Sequence, residues 1–128
     1  MPQYMLLLYA PTHDRPPADD PGYDFSRWVA YGESLRDAGM LVASNRLHDT
    51  EMATTVRVRD GETLVTDGPF AETNEYLAGY FLLECPNLDA ALEAAGRVPH
   101  IHYGTVEVRP IAVDAPNVDP NEKSAAQA

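Results

Sequence analysis

Residues 3–10 read QYMLLLYA, an apolar run that Pro11 ends. Polar and apolar residues do not alternate here, which is typical of a strand that is buried on both faces. The run is also far shorter than the roughly 20 apolar residues of a membrane-spanning helix. We therefore expect it to form a central strand of a sheet, around which the other elements are arranged.

The rest of the chain predicts the order strand, helix, hairpin, strand, helix, strand. Apolar residues recur at helical spacing over 24–38, where Asp24 can cap the start and Gly39 can end the helix. A second helix is expected after Asn87 and before Pro99. Asp60-Gly61 is a strong hairpin signal. The predicted strands cover residues 3–10, 53–60, 62–66, 79–85 and 104–111, and residues 41–43 can extend briefly.

This order predicts a ferredoxin-like α+β sandwich with split βαβ units. Two helices can cover only one face of its sheet. Residues 3–10 and 79–85 carry apolar side chains on both faces, so the second face is apolar as well. An apolar patch of that size marks an interface, and a second copy of the chain is its simplest cover. We therefore expect a homodimer.

Charge and composition limit the classes of partner and the cellular location that we expect. The formal net charge of −11 repels phosphate backbones and anionic lipids, so we expect neither a nucleic-acid nor a membrane partner. One cysteine excludes an intrachain disulfide, and no secretion signal is recognisable, which together indicate a cytoplasmic protein. Residues 1–113 suit one domain, and residues 114–128 have too few apolar side chains to order and are expected to form a disordered tail.

The segment TDGPFAETNEYLAGYF, residues 66–81, contains more acidic and aromatic side chains than a turn requires. Asp67 follows a strand, where its carboxylate can hold the turn or serve as a general base that faces the inter-subunit cleft. Phe70 is expected to plug the loop into the core, with an aromatic wall for a ligand as the alternative. Glu72 and Glu75 can open a short helical turn, in a capping or solvated role or in catalysis.

Three histidines are candidates for acid–base work. His100 and His102, in VPHIHYG, would point the same way if the segment were extended. They can form a solvent-exposed pair, transfer protons, or bind a metal, but a metal needs a third ligand that no spacing identifies, and we predict none. His48, in RLHDTE, can pair with Asp67, because both lie near ends of hairpin strands. No phosphate loop, dinucleotide fingerprint or zinc motif is present, so no cofactor is expected.

Further side chains could form the walls of a ligand site. Tyr9, Trp28 and Tyr80 have apolar bodies with one polar tip, which suits either core packing or the floor of a pocket for a flat ligand. Arg57 can hold a carboxylate or phenolate if it points inward, and is ordinary surface charge if it points outward. The candidate ligand-binding residues are Tyr9, Trp28, Phe70, Glu72, Tyr80 and Arg57.

The segments TTVRVRDGETLV, DGPFAET and YGTVEVRPI occur in this order and resemble the DGPF subgroup of the YCII-related family over residues 4–111. The resemblance implies a dimeric α/β barrel, in which a His and Asp pair in a sheet-side cleft is the usual candidate active site. One branch of the family resembles dehalogenating lyases that act on hydroxylated aromatic rings. Many members are encoded beside extracytoplasmic-function sigma factors, which implies a sigma factor as a further candidate partner. Asn74 replaces the Lys that is common in the motif.

Two hypotheses about function follow. The first is a cofactor-free acid–base enzyme, of lyase or isomerase type, that acts on a small cyclic or aromatic oxygenated molecule in a dimer cleft. Asp67 and one of His48, His100 and His102 would carry the proton. The alternative is a non-catalytic module that binds a small molecule and regulates an extracytoplasmic-function sigma factor. A paired histidine and carboxylate in a perturbed environment favours the enzyme.

Overall fold

The computed structural model describes residues 1–113, and the predicted disordered tail lies outside the described residues. In chain order the helices and strands are β1 (Gln3–Pro11), α1 (Phe25–Asp37), β2 (Leu41–Arg46), β3 (Thr54–Arg59), β4 (Glu62–Asp67), β5 (Glu75–Glu84), α2 (Leu88–Ala95) and β6 (Thr105–Pro110). Two single turns of 3-10 helix, Pro21–Tyr23 and Thr50–Met52, lie in the loops.

Four of the strands form one antiparallel sheet in the order β2-β5-β1-β6, and β3 and β4 pair separately as a hairpin. Without that hairpin the chain runs βαββαβ. Residues 1–113 therefore have an α+β architecture with two antiparallel sheets and two helices, which is compatible with the predicted ferredoxin-like fold. As predicted, β1 is a central strand, because it pairs with β5 on one side and β6 on the other.

The residues predicted to cap helices and form turns lie at the ends of these elements. The Asp24 carboxylate accepts a hydrogen bond from the Ser26 amide at 2.9 Å and caps α1, and Gly39 follows that helix with a φ of +72°. Asp60 and Gly61 both have positive φ, as a two-residue hairpin turn of the primed type requires.

The core lies between the two helices and one face of the sheet. Its largest fully buried apolar side chains include Leu6, Leu35 and Leu83. The ring of Tyr31, on α1, meets Phe81 edge-on with 5.1 Å between ring centroids, and its hydroxyl donates to the Ala94 carbonyl at 2.7 Å. Burial raises the pKa of Tyr31 to about 12. The helices therefore cover the face of the sheet that carries Leu6, Phe81 and Leu83.

The opposite face of the sheet is apolar too, as the sequence predicts. Met5 lies directly across from Leu82 and Leu7 from Tyr80, so these four side chains share that face. All four are half-buried and none belongs to the helix-covered core. No helix within residues 1–113 is long and apolar enough to cross a membrane.

Two predictions for the loop after the hairpin are wrong. Glu75 opens β5 and Glu72 lies in an irregular segment, so neither belongs to a helical turn. Phe70 is 75% exposed and does not plug the core. The physical reason is that the amide of Thr12 donates to the Asn74 carbonyl at 2.8 Å, so this segment extends the β1–β5 pairing, which competes with an isolated helical turn.

Candidate functional site

A cavity of about 510 Å³ lies between the start of α1 and the helix-covered face of the sheet. This volume is in the range of small-molecule sites. The lining is completed by the end of β1 and the loop after it, the end of β2 and the loop after it, the first half of β5, and the turn before β6. The aromatic residues of its lining are Tyr23, Phe25, Trp28, Tyr76, Tyr80, Phe81, His100 and Tyr103.

The Pro-rich loop between β1 and α1 closes one side of the cavity. The indole Nε1 of Trp28 donates to the Gly22 carbonyl at 2.8 Å and fastens this loop to α1. A Cβ on Gly22 would lie only 2.8 Å from the Tyr103 hydroxyl oxygen, so the loop requires glycine where it contacts that ring. The cavity wall is therefore packed against its neighbours on two sides.

His100 is the buried titratable side chain of the cavity, with 3% of its surface exposed. Its Nε2 lies 2.9 Å from the Tyr9 carbonyl oxygen. A carbonyl can only accept, so Nε2 carries the proton and Nδ1 carries the lone pair. Nδ1 is buried and has no hydrogen-bond partner within residues 1–113. Burial lowers the pKa of His100, and the bond to Tyr9 partly offsets this, so the ring is neutral at pH 7 with a free acceptor.

Close packing fixes the orientation of His100. Its ring lies 5.5 Å from the Trp28 ring and 5.6 Å from the Tyr103 ring, measured between centroids. A Cβ on Gly104 would come within 2.5 Å of the His100 Nε2 and within 2.7 Å of the Tyr9 carbonyl oxygen. The absence of a side chain at residue 104 therefore allows the ring to reach the backbone of β1.

A histidine–carboxylate pair does form, but between residues that the sequence did not pair. The Nε2 of His102 lies 2.7 Å from Asp20 Oδ1, which also accepts the Gly22 amide at 2.8 Å. The amide of Gly22 and then His102 lower the pKa of Asp20. Neither His102 nor Asp20 lines the cavity, so the pair fastens the Pro-rich loop to the turn that precedes β6.

The two histidines of VPHIHYG do not point the same way. Residues 99–103 form a turn rather than an extended segment. His100 consequently enters the core while His102 is half-exposed at the surface. They are not the solvent-exposed pair that one interpretation required, and no group of three or more His, Cys, Asp or Glu residues within 1–113 is arranged to hold a metal ion.

The predicted pair of His48 and Asp67 lies outside the cavity lining. Both side chains are exposed, and no hydrogen bond or ion pair joins them in the described part of the chain. Within residues 1–113 the Asp67 carboxylate also accepts none of the backbone hydrogen bonds expected if it held the turn. The amide of Gly68 donates instead to the Ala53 carbonyl at 2.7 Å. The chain on either side of His48 does reach the cavity, through Leu47 and Asp49.

The other predicted ligand residues are divided between cavity and surface. Trp28 lines the cavity with its ring against His100. Tyr80 borders it, but its ring shares the opposite face of the sheet with Leu7, where its hydroxyl accepts a hydrogen bond from the side-chain Nδ2 of Asn45 at 2.7 Å. Tyr9 contributes its carbonyl to His100. The residues outside the lining are Tyr9, Phe70, Glu72 and Arg57.

The sequence interpretation missed the contribution of the Pro-rich loop. Arg15 and Tyr23 from this loop line the cavity, as does Arg46 from the end of β2. One local signal was available: in Asp20-Pro21-Gly22, the aspartate precedes a proline at the start of a turn and caps it, which indicates an ordered segment.

Comparison with known proteins shows what this chain is similar to. A family model described as the YCII-related domain matches residues 5–113. An uncharacterised protein of Rhizobium meliloti (strain 1021), R00369, is 44% identical over 87 residues, which are 66% of this chain and 70% of that protein.

Proposed function

The chain belongs to the YCII-related domain family, and we propose that it binds a small cyclic or aromatic oxygenated molecule in the cavity and transfers a proton on it without a cofactor. One observation carries this proposal. His100 is buried in the cavity wall, its Nε2–H is held by the Tyr9 carbonyl, and its Nδ1 has no partner within residues 1–113.

The proposed chemistry starts from this free acceptor. Because Nδ1 of His100 is closed to solvent, the bound molecule must first displace the groups that cover it. Nδ1 then takes a proton from an O–H group, or from a carbon next to a carbonyl, of that molecule. In an isomerase the electron pair left on carbon forms an enolate, and the imidazolium returns the proton at a second carbon. The Tyr9 carbonyl supports the charged ring, because the hydrogen bond that Nε2–H donates to it is stronger when the ring is protonated.

Tyr103 is suited to act as a hydrogen-bond donor in the same cavity. Burial raises its pKa to about 12, with Tyr23 and Asp20 adding to the effect, so its hydroxyl keeps its proton at pH 7. A neutral phenol can donate to an oxygen on which negative charge develops. His100 would thus be the base, and Tyr103 the group that stabilises the oxyanion.

The assembly belongs to the same proposal. The DGPFAETNE string supports membership of the DGPF subgroup, and the apolar face that contains Met5 and Leu7 supports a homodimer of the barrel type. Exposed apolar residues on the hairpin, among them Val56 and Val65, add apolar surface for such an interface. The cavity forms within one chain, so the proposed proton transfer does not depend on a cleft between two subunits, where the sequence predicted the site.

Solvent exchange tests the proposed role of His100 without knowledge of the product. Small phenols, lactones and hydroxy acids are first screened for a rise in melting temperature, which reports binding to the native state. Compounds that bind are then incubated with the protein in D₂O, and loss of a carbon-bound proton is followed by NMR. We expect exchange with the natural chain and its loss in His100→Gln, because glutamine can still donate to the Tyr9 carbonyl but offers no basic nitrogen.

His48→Gln is the matched control for this experiment, because the His48 side chain is exposed, lies outside the lining and makes no side-chain hydrogen bond within residues 1–113, so it should leave exchange unchanged. Exchange that persists in His100→Gln would refute the role of this residue. Binding without exchange in the natural chain would favour the alternative, a non-catalytic module that uses the same cavity. Nothing in residues 1–113 tests the predicted sigma-factor partner, which stays a prediction for that alternative.

A further inference from the structure

Arg15 places a guanidinium group at the cavity, held against an aromatic wall. Its Cζ lies 5.2 Å from the centroid of the Tyr76 ring, and its Nε donates to the Pro11 carbonyl at 3.3 Å. Both contacts restrict the side chain. Arg15 forms no ion pair with a carboxylate of residues 1–113, so its remaining N–H donors have no carboxylate partner there.

Arg46 brings a second guanidinium group to the same cavity from the end of β2. In the strand register it lies opposite Gly79, which in turn lies opposite Leu8 of the core. The side chain of Arg46 therefore belongs to the helix-covered face. Gly79 allows this close pairing, because a Cβ there would lie 2.7 Å from the Asn45 carbonyl oxygen. Within the described chain Arg46 also lacks an ion-pair partner.

The charge of the lining is opposite in sign to that of the protein. The chain has a net charge of −11 and only nine Lys and Arg residues, yet two of them line this cavity. Asp49 is the one carboxylate side chain that residues 1–113 contribute to the lining, and it pairs with neither arginine within 4.0 Å. Two unpaired guanidinium groups beside apolar walls attract an anion, and their planar forks match a carboxylate.

We propose that Arg15 and Arg46 bind the carboxylate of a small aromatic or cyclic carboxylic acid whose ring lies among the aromatic walls. This inference rests on the proposed function, because it names the class of ligand for the same cavity. The aromatic side chains favour a flat ring, and the arginines select the acid over its neutral derivatives.

Matched ligand pairs test this selection. Binding of benzoate and 2-hydroxybenzoate is compared with binding of benzamide and 2-hydroxybenzamide, by calorimetry at low salt and again at 0.5 M NaCl. We expect the acids to bind roughly tenfold more tightly than the amides, because hydrogen bonds to charged groups are the stronger ones. That preference should shrink at high salt, since both arginine side chains are solvent-accessible.

Variants assign the preference to these two residues. Arg15→Gln and Arg46→Gln should each weaken binding of the acids severalfold and leave binding of the amides unchanged. Arg57→Gln is the control, because Arg57 lies on the hairpin outside the lining and should change neither.

The two proposals can fail separately. Equal binding of acids and amides, or no binding of the acids, would overturn the carboxylate inference, and so would a preference that survives both arginine substitutions. If neutral phenols or lactones still exchange deuterium through His100, the proposed function stands. If acids bind with the expected preference and no ligand exchanges, the carboxylate site stands and proton transfer fails.

Discussion

Gly104→Ala tests the packing that positions His100. The added Cβ would lie 2.5 Å from His100 Nε2 and 2.7 Å from the Tyr9 carbonyl oxygen, where non-bonded atoms normally keep about 3.5 Å. The Tyr9 carbonyl is part of central strand β1 and cannot move without disturbing the sheet. The His100 ring is held between Trp28 and Tyr103. The substitution must therefore break the His100–Tyr9 hydrogen bond.

The expected cost is the sum of two effects. Overpacking costs about 1–3 kcal/mol. Leaving a buried donor or acceptor unpaired costs about 1–3 kcal/mol more. Alanine also restricts the unfolded chain, which offsets about 0.4–1 kcal/mol. We expect the free energy of unfolding to fall by about 1–6 kcal/mol, compared with the roughly 5–15 kcal/mol of a typical domain.

Urea unfolding followed by fluorescence measures this change. Trp28 is the single tryptophan of the chain and packs against His100, so its emission reports on this site. Gly32→Ala is the matched control, since Gly32 lies inside α1 and its new Cβ would meet nothing within 4 Å. It should raise the free energy of unfolding by roughly 0.5–1 kcal/mol. A Gly104→Ala variant as stable as the natural chain would refute the proposed packing of His100.

Two further predictions concern pH and assembly. Burial holds the folded-state pKa of His100 below its ordinary value of 6.5, so the unfolded chain takes up this proton first as pH falls. The stability that this difference contributes is fully present above pH 6.5 and is lost as the pH falls from there through the folded-state pKa of His100. In His100→Gln the free energy of unfolding should therefore vary less over this pH window. Equal pH profiles for the variant and the natural chain would contradict the assignment. For assembly, Leu7→Glu on the uncovered sheet face should shift the sedimenting species from dimer to monomer, whereas Leu92→Glu on the exposed side of α2 should not; a monomeric natural chain would contradict the proposed homodimer.

Local chemistry made most of the fold predictable. Asp24, Gly39 and Asn87 mark helix ends through their own side chain or backbone freedom, and Asp60-Gly61 adopts the positive φ that its turn needs. Such signals act within a few residues, so they can be read from the sequence alone. The segment around Glu72 and Glu75 was misinterpreted, because the pairing partner that holds it extended, Thr12, is distant in the chain.

The site was only partly predictable. Trp28 and His100 were among the candidates and line the cavity, and Trp28 was proposed because a large amphipathic ring suits a pocket wall. No comparable sequence pattern pointed to Arg15, Tyr23 and Arg46, because an arginine or a tyrosine near a strand end or in a loop usually lies on the protein surface.

The sequence by itself determined the α+β order of elements, the central position of β1, the two apolar faces of the sheet and the family. The first three depend on periodicity and on turn residues, which are local properties of the chain, whereas the family follows from the resemblance of several motifs in their order. Only the tertiary structure decided which histidine is buried, which carboxylate meets His102, and which arginines share one cavity. Those outcomes depend on contacts between residues as far apart as Tyr9 and His100, and no local pattern in a single sequence encodes such contacts.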